Sequence, residues 1–119
     1  MKMIALILLG YLSGSVMYAD LIPRCFCRVD ITRLSQDENP GTVNAFVHAG
    51  VPAGILVLIL ELGKGFAPVF LASRHVPLWE PLFALVLVAP VIGHAFPFWR
   101  RGRGGKCIAV SFGVLLGIL

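Results

Sequence analysis

Three apolar stretches of bilayer length, residues 3–23, 49–72 and 78–98, constrain this chain more than any motif in it. The hydrocarbon core is about 30 Å thick, and about 20 apolar residues cross it as an α-helix. No water is available there to satisfy the backbone, so a crossing segment must close its own hydrogen bonds. Composition agrees. Of 119 residues, 58% are hydrophobic and 13% charged, against roughly 45–50% and about 25% in a soluble domain. So few charges cannot coat a small domain, which excludes an autonomous soluble fold. The expected fold is all-α: a polytopic integral membrane helical bundle with about three full transmembrane helices plus a partial fourth. Residues 1–119 are read as a single transmembrane domain. The last apolar stretch, residues 107–119, would reach only about 20 Å as a helix. The chain therefore reads as a fragment of a longer fold.

The formal net charge of +4 reports topology, not a nucleic-acid partner. The ten Lys and Arg are scattered between apolar segments, with no basic face interleaved with aromatics. The polar stretch 24–42 holds Arg24, Arg28 and Arg33, and the stretch after Phe98 holds Arg100, Arg101, Arg103 and Lys106. Lys2 and Arg74 fall on the other side, together with Lys64 if it is exposed. The positive-inside bias places loops 24–42 and 99–106 in the cytoplasm and the N-terminus outside. Three cysteines, two of them only one residue apart at Cys25 and Cys27, fit reduced thiols and no metal site. The first apolar run is followed by Tyr18, Asp20 and arginines without a small-residue cleavage site. It reads as a retained helix and not a signal peptide.

Within the segments, a few residues stand out. Gly10, Ser13, Gly14 and Ser15 place small side chains on successive turns, which suits close helix packing as well as a substrate contact. Pro40-Gly41 marks a turn in an otherwise ordinary loop. Glu61 and Lys64 lie inside the second apolar stretch, three residues apart and on one helical face, where they can pair. Ionisable groups at that depth normally face the bundle interior or a water-filled cavity. Gly63, Gly65 and Pro68 around them predict a broken helix, or two short segments joined by a polar turn. His75 falls on the outer turn and is read as solvated. His94 instead lies where the third segment meets the basic loop.

That loop suits anions. Glycines at 102, 104 and 105 allow backbone N–H groups to approach a phosphate. Lys106 adds a point charge and is expected to begin the fourth helix, whose N-terminus favours anions. The nucleotide-binding pattern G-x-x-x-x-G-K-[ST] is not met, because residue 100 is Arg and residue 107 is Cys. Anionic lipid headgroups and a phosphate-bearing substrate both remain open as partners.

Taken in order, Gly14-Ser15, Asp30-Ile31, Asn39-Pro40-Gly41, Asn44, Lys64-Gly65 with Pro68-Val69, Gly93-His94 with Phe96-Pro97, and Gly104-Gly105-Lys106 form a recognisable series. It resembles the bacterial acyl-phosphate:glycerol-3-phosphate acyltransferase family, the PlsY type, over nearly the whole chain. The resemblance implies a longer fold of which this is the N-terminal part. It implies transfer of an acyl group from acyl phosphate to glycerol 3-phosphate, giving lysophosphatidic acid for phospholipid synthesis in the bacterial inner membrane. No cofactor is implied. Both substrates and the membrane lipids are the partners. Carried over by motif, Asn39, Asn44 and His94 would act on the reacting groups, with His94 as hydrogen-bond donor or proton carrier. Gly41, Arg103, Gly104, Gly105 and Lys106 would hold phosphate.

The chain also departs from the family pattern. Asp37 and Glu38 stand where the pattern has serine and glycine, Val47 where it has arginine, and Cys107 where it has glycine. Glu61 replaces an aspartate, and Arg33 is a candidate for the missing cation. Two acids now lie where phosphate would approach, and an arginine's bidentate clamp is lost. These changes support an alternative: a non-catalytic relative that binds anionic lipid or assists a true acyltransferase. A transporter half is a more distant possibility, raised only by the interrupted second segment.

Overall fold

The computed structural model describes residues 2–100 and 104–119, and every regular element among them is helical. The first apolar run is not one helix, as expected, but two. Helix α1 spans Lys2–Ser15, α2 spans Tyr18–Phe26, and they meet at a 43° bend. Near the end of α1 the Ser15 hydroxyl donates back to the Tyr11 carbonyl at 2.8 Å, a local bond that favours bending. Met17 then leaves the helical region at φ −98°, ψ 79°.

The polar stretch after α2 is more ordered than a plain loop. Asp30 caps the short helix α3, Ile31–Leu34, by accepting from Thr32 N at 3.1 Å. Helix α4, Thr42–Ala49, follows and is separated from α5, Val51–Ser73, by Gly50 alone. Gly50 has φ +97°, a conformation that β-carbon sterics deny to other residues, so the chain turns there.

The expected break in the second apolar stretch does not occur, because α5 runs unbroken through Gly63, Lys64, Gly65 and Pro68. Proline has no N–H to offer the carbonyl four residues back. That carbonyl belongs to Lys64, and the Ser13 hydroxyl donates to it at 2.8 Å from α1. A tertiary contact therefore supplies the bond that Pro68 cannot make.

Helix α6, Phe83–Ala95, starts later than its apolar segment, since residues 77–82 form turns that leave Leu78 and Trp79 exposed. A 3-10 turn, Phe98–Arg100, follows it, and α7, Ile108–Ile118, closes the chain. By length and composition α5 and the stretch Phe83–Arg100 can each cross a membrane, and the bent α1–α2 pair passes the same test if its two helices count as one span. The molecule is 43 Å long, close to the roughly 40–45 Å of a bilayer with its headgroups.

Small residues set the helix contacts. A β-carbon on Gly14 would overlap the Pro90 carbonyl, and one on Gly93 would overlap the Tyr11 carbonyl, so α1 and α6 meet backbone to backbone. Gly65 and Gly113 do the same for α5 and α7. The small residues of the first segment thus serve packing. Overpacking such a contact costs about 1–3 kcal/mol, whereas a β-carbon on Gly63 meets nothing within 4 Å. Gly14→Ala is expected to lower the thermal midpoint in detergent, followed by tryptophan fluorescence, while Gly63→Ala leaves it unchanged or raises it. Equal midpoints for the two variants would contradict this packing.

Candidate active site

Along α5 two apolar layers frame a polar one. Ala72 packs with Leu6, Phe83 and Val86, and Val57 packs with Ala19, Ile31 and Ala45. Between Val57 and Ala72, Glu61 and Lys64 point inward, and α6 contributes His94; all three are 5% exposed or less. The expected intramembrane pair forms, with Lys64 Nζ 2.6 Å from Glu61 Oε2. The ammonium donates to the Val16 carbonyl at 2.7 Å, and His94 Nδ1 lies 2.7 Å from the same nitrogen. Glu61 Oε1 accepts from Ala19 N at 3.3 Å. Val16 and Ala19 flank the bend between α1 and α2, so the pair satisfies backbone groups that the bend leaves without helical partners.

Above this layer lies a cavity of about 470 Å³. Asp37, Asn39, Gly41, Asn44, His94 and Lys106 line its polar end. Leu58, Leu62, Ile108 and Phe112, from α5 and α7, form an apolar wall. The sequence holds these polar residues in three separate places, 37–44, 94 and 106, and the fold gathers them by setting residues 37–44 beside Lys106 and the start of α7.

Asp37 organises the polar end. Its Oδ1 accepts from Asn39 N at 3.1 Å and from Asn44 Nδ2 at 2.9 Å, and Lys106 Nζ reaches Oδ2 at 3.0 Å. These contacts, led by the Asn44 amide and then the Lys106 ammonium and Asn39 N–H, hold the Asp37 carboxyl well below the usual carboxylate range. The same Asn44 amide donates to the Asn39 carbonyl at 2.8 Å, fixing the Asn39-Pro40-Gly41 turn. Asp37 is thus more than an intruding charge. Its spacing from Asn39 is that of an Asx turn, a signal the sequence does contain.

Gly104 and Gly105 are shaped by His94. A β-carbon on Gly104 would overlap the His94 and Ala95 carbonyls, and one on Gly105 would overlap His94 Nε2. The Gly105 N–H donates to the His94 carbonyl at 3.2 Å, so this donor is engaged within the fold. Lys106 does not begin α7, as expected, because the helix starts at Ile108 after Cys107. Two positions where the family pattern has glycine and this chain does not, Glu38 and Cys107, have φ of +53° and +67°. The backbone keeps a left-handed shape there although these side chains disfavour it.

Other expected contributors stand apart. Arg33 is 88% exposed and pairs with Asp30 at 3.5 Å, away from the cavity lining. Val47 is exposed on α4. Arg103 lies outside the described residues. His75 is exposed, as expected.

Residues 4–119 match the family described as glycerol-3-phosphate acyltransferase. The chain is 41% identical over 112 residues to the glycerol-3-phosphate acyltransferase of Myxococcus xanthus, covering 94% of this chain and 58% of that protein. It is 39% identical over 119 residues to that of Chromohalobacter salexigens, covering 99% and 57%. Among solved structures it resembles PlsY (YgiH), an integral membrane glycerol 3-phosphate acyltransferase, in its glycerol 3-phosphate form. The TM-score is 0.90 at 26% identity, over 99% of this chain and 58% of that one. The chain thus spans a little over half the length of the relatives it matches.

Proposed function

Because the chain belongs to the glycerol-3-phosphate acyltransferase family, we propose that it moves an acyl group from acyl phosphate to glycerol 3-phosphate, giving lysophosphatidic acid. The observation that carries this reading is a single cavity in which a polar end with Lys106, Asn39, Asn44 and His94 adjoins an apolar wall. Such a cavity suits one substrate with a phosphate beside its acyl chain, and another with phosphate beside hydroxyls. In the reaction the 1-hydroxyl oxygen bonds the acyl carbon, the bond from that carbon to the phosphate oxygen breaks, and the hydroxyl proton leaves with the phosphate. Acyl phosphate is already activated, so electrostatic stabilisation of the phosphates is the protein's main task. Lys106 supplies charge, and the first turns of α4 and α7, which line the cavity, offer N–H groups. Gly41 lets the backbone approach them, and the resemblance also assigns phosphate contacts to Arg103, Gly104 and Gly105, of which the Gly105 N–H already donates to the His94 carbonyl.

With one crossing each for the α1–α2 pair, α5 and α6, the cavity shares its side with Arg24, Arg28, Arg33 and Arg100, opposite Lys2 and Arg74. This favours a cytoplasmic cavity mouth in a bacterial inner membrane. The test is transfer from palmitoyl phosphate to labelled glycerol 3-phosphate in membranes containing this chain. Lysophosphatidic acid is the expected product, and its absence despite confirmed insertion would reject the reading for this chain.

One observation favours the non-catalytic alternative. The Asp37 carboxylate already collects the donors of Asn39, Asn44 and Lys106, which a phosphate must share or displace. In a working enzyme Asp37→Ser is expected to lower KM for glycerol 3-phosphate about fivefold, the scale of an exposed ion pair, with kcat little changed. A KM that rises would mean that Asp37 positions Lys106 and does not compete with substrate.

A further inference from the structure

We propose that Lys64 is a positioning residue that fixes the tautomer of His94, leaving Nδ1 bare and Nε2 protonated, so that the imidazole presents an N–H donor to the cavity. Lys64 Nζ lies 2.7 Å from His94 Nδ1. An ammonium has three hydrogens and no lone pair, so at this contact Nδ1 can only accept. A neutral imidazole that accepts at Nδ1 carries its proton on Nε2. The opposite tautomer would turn an Nδ1–H against the ammonium and toward Glu61 Oε2, 3.3 Å away. Glu61 is closer to Lys64, at 2.6 Å, and supplies its counter-charge.

The other ring nitrogen is where substrate would feel it. Nε2 lies against the α-carbon of Gly105, and a β-carbon built there would also come within 3.2 Å of Asn39 Oδ1. His94 lines the cavity, while its main-chain carbonyl is held by the Gly105 N–H at 3.2 Å. The ring is therefore anchored on the Lys64 side and free to donate on the Asn39 side. This decides between the two roles open to His94. It acts as a donor to a phosphate or carbonyl oxygen, and it does not take the hydroxyl proton at Nε2. The consequence for turnover rests on the acyltransferase reading, but the tautomer does not.

The test is nitrogen-15 NMR of the histidine-labelled chain in detergent at neutral pH, with the His94 signals identified by their loss in His94→Gln. The wild type is expected to show a bare Nδ1 and a protonated Nε2. A protonated Nδ1 would overturn the proposal, whatever any variant does. In Lys64→Met combined with Glu61→Gln, which removes both buried charges together, the ring is expected to populate both tautomers. Retention of the pure Nε2–H form there would assign the tautomer to some other group. If lysophosphatidic acid forms, the same double variant should lose about tenfold or more in kcat, with a smaller change in KM for glycerol 3-phosphate. Wild-type turnover with the wrong tautomer would sink this inference alone. The correct tautomer without turnover would sink only the functional reading.

Discussion

Glu61→Ala is expected to destabilise the bundle by about 3–5 kcal/mol, the usual consequence of removing one partner from a buried ion pair. Lys64 would remain 3% exposed and lose the carboxylate 2.6 Å from its ammonium. The Ala19 N–H at the bend would lose its acceptor as well. Removing both charges, as in Glu61→Leu with Lys64→Met, leaves no unpaired ion. The double variant still orphans the Val16 carbonyl and the Ala19 N–H, at about 1–3 kcal/mol each. Reversible unfolding in mixed micelles should therefore rank the single Glu61 variant at or below the double one, with a strong coupling between the two sites. A single variant close to wild type would mean that the pair does not hold the α1–α2 bend in place.

Lys106→Ala should have the opposite character: little effect on folding and a large one on turnover. The side chain is 62% exposed and its partner Asp37 47% exposed, a setting in which an ion pair adds little stability. Its charge nevertheless projects to the polar end of the cavity. Losing one preorganised group that stabilises developing charge lowers kcat by about 10²–10³. Steady-state transfer at matched protein levels checks this. A protein that only binds anionic lipid would show no transfer in either form, and a loss of about 1 kcal/mol in lipid affinity for the missing cation.

The spans, the intramembrane pair and the position of His94 beside the basic loop were legible in the sequence because each depends on local spacing. Three residues between Glu61 and Lys64 place them on one helical face wherever the helix packs. The breaks were not legible, because distant partners decide them. Pro68 reads as a disruption until Ser13, 51 residues from Lys64, is seen to satisfy the Lys64 carbonyl. The bend at Val16 and Met17 follows Ser13-Gly14-Ser15, small residues that read as a packing face, and its polar support comes from α5. Gly105 reads as a phosphate cradle from its neighbours Gly104 and Lys106. Its N–H, however, donates to a carbonyl in α6. Asp37 looked repulsive as an isolated charge, and only the fold shows the donors of Asn39, Asn44 and Lys106 converging on it.

Equilibrium binding of glycerol 3-phosphate to the purified chain in detergent, with glycerol alone and Lys106→Ala alongside, tests the central claim most directly. That claim is that the end of the cavity formed by Asp37, Asn39, Asn44, His94 and Lys106 is a phosphate site. The predicted result is saturable binding of glycerol 3-phosphate, weakened about tenfold or more in Lys106→Ala on the scale of a charge-assisted contact, and none of glycerol. Binding of glycerol and glycerol 3-phosphate with equal affinity, or binding indifferent to Lys106, would contradict it.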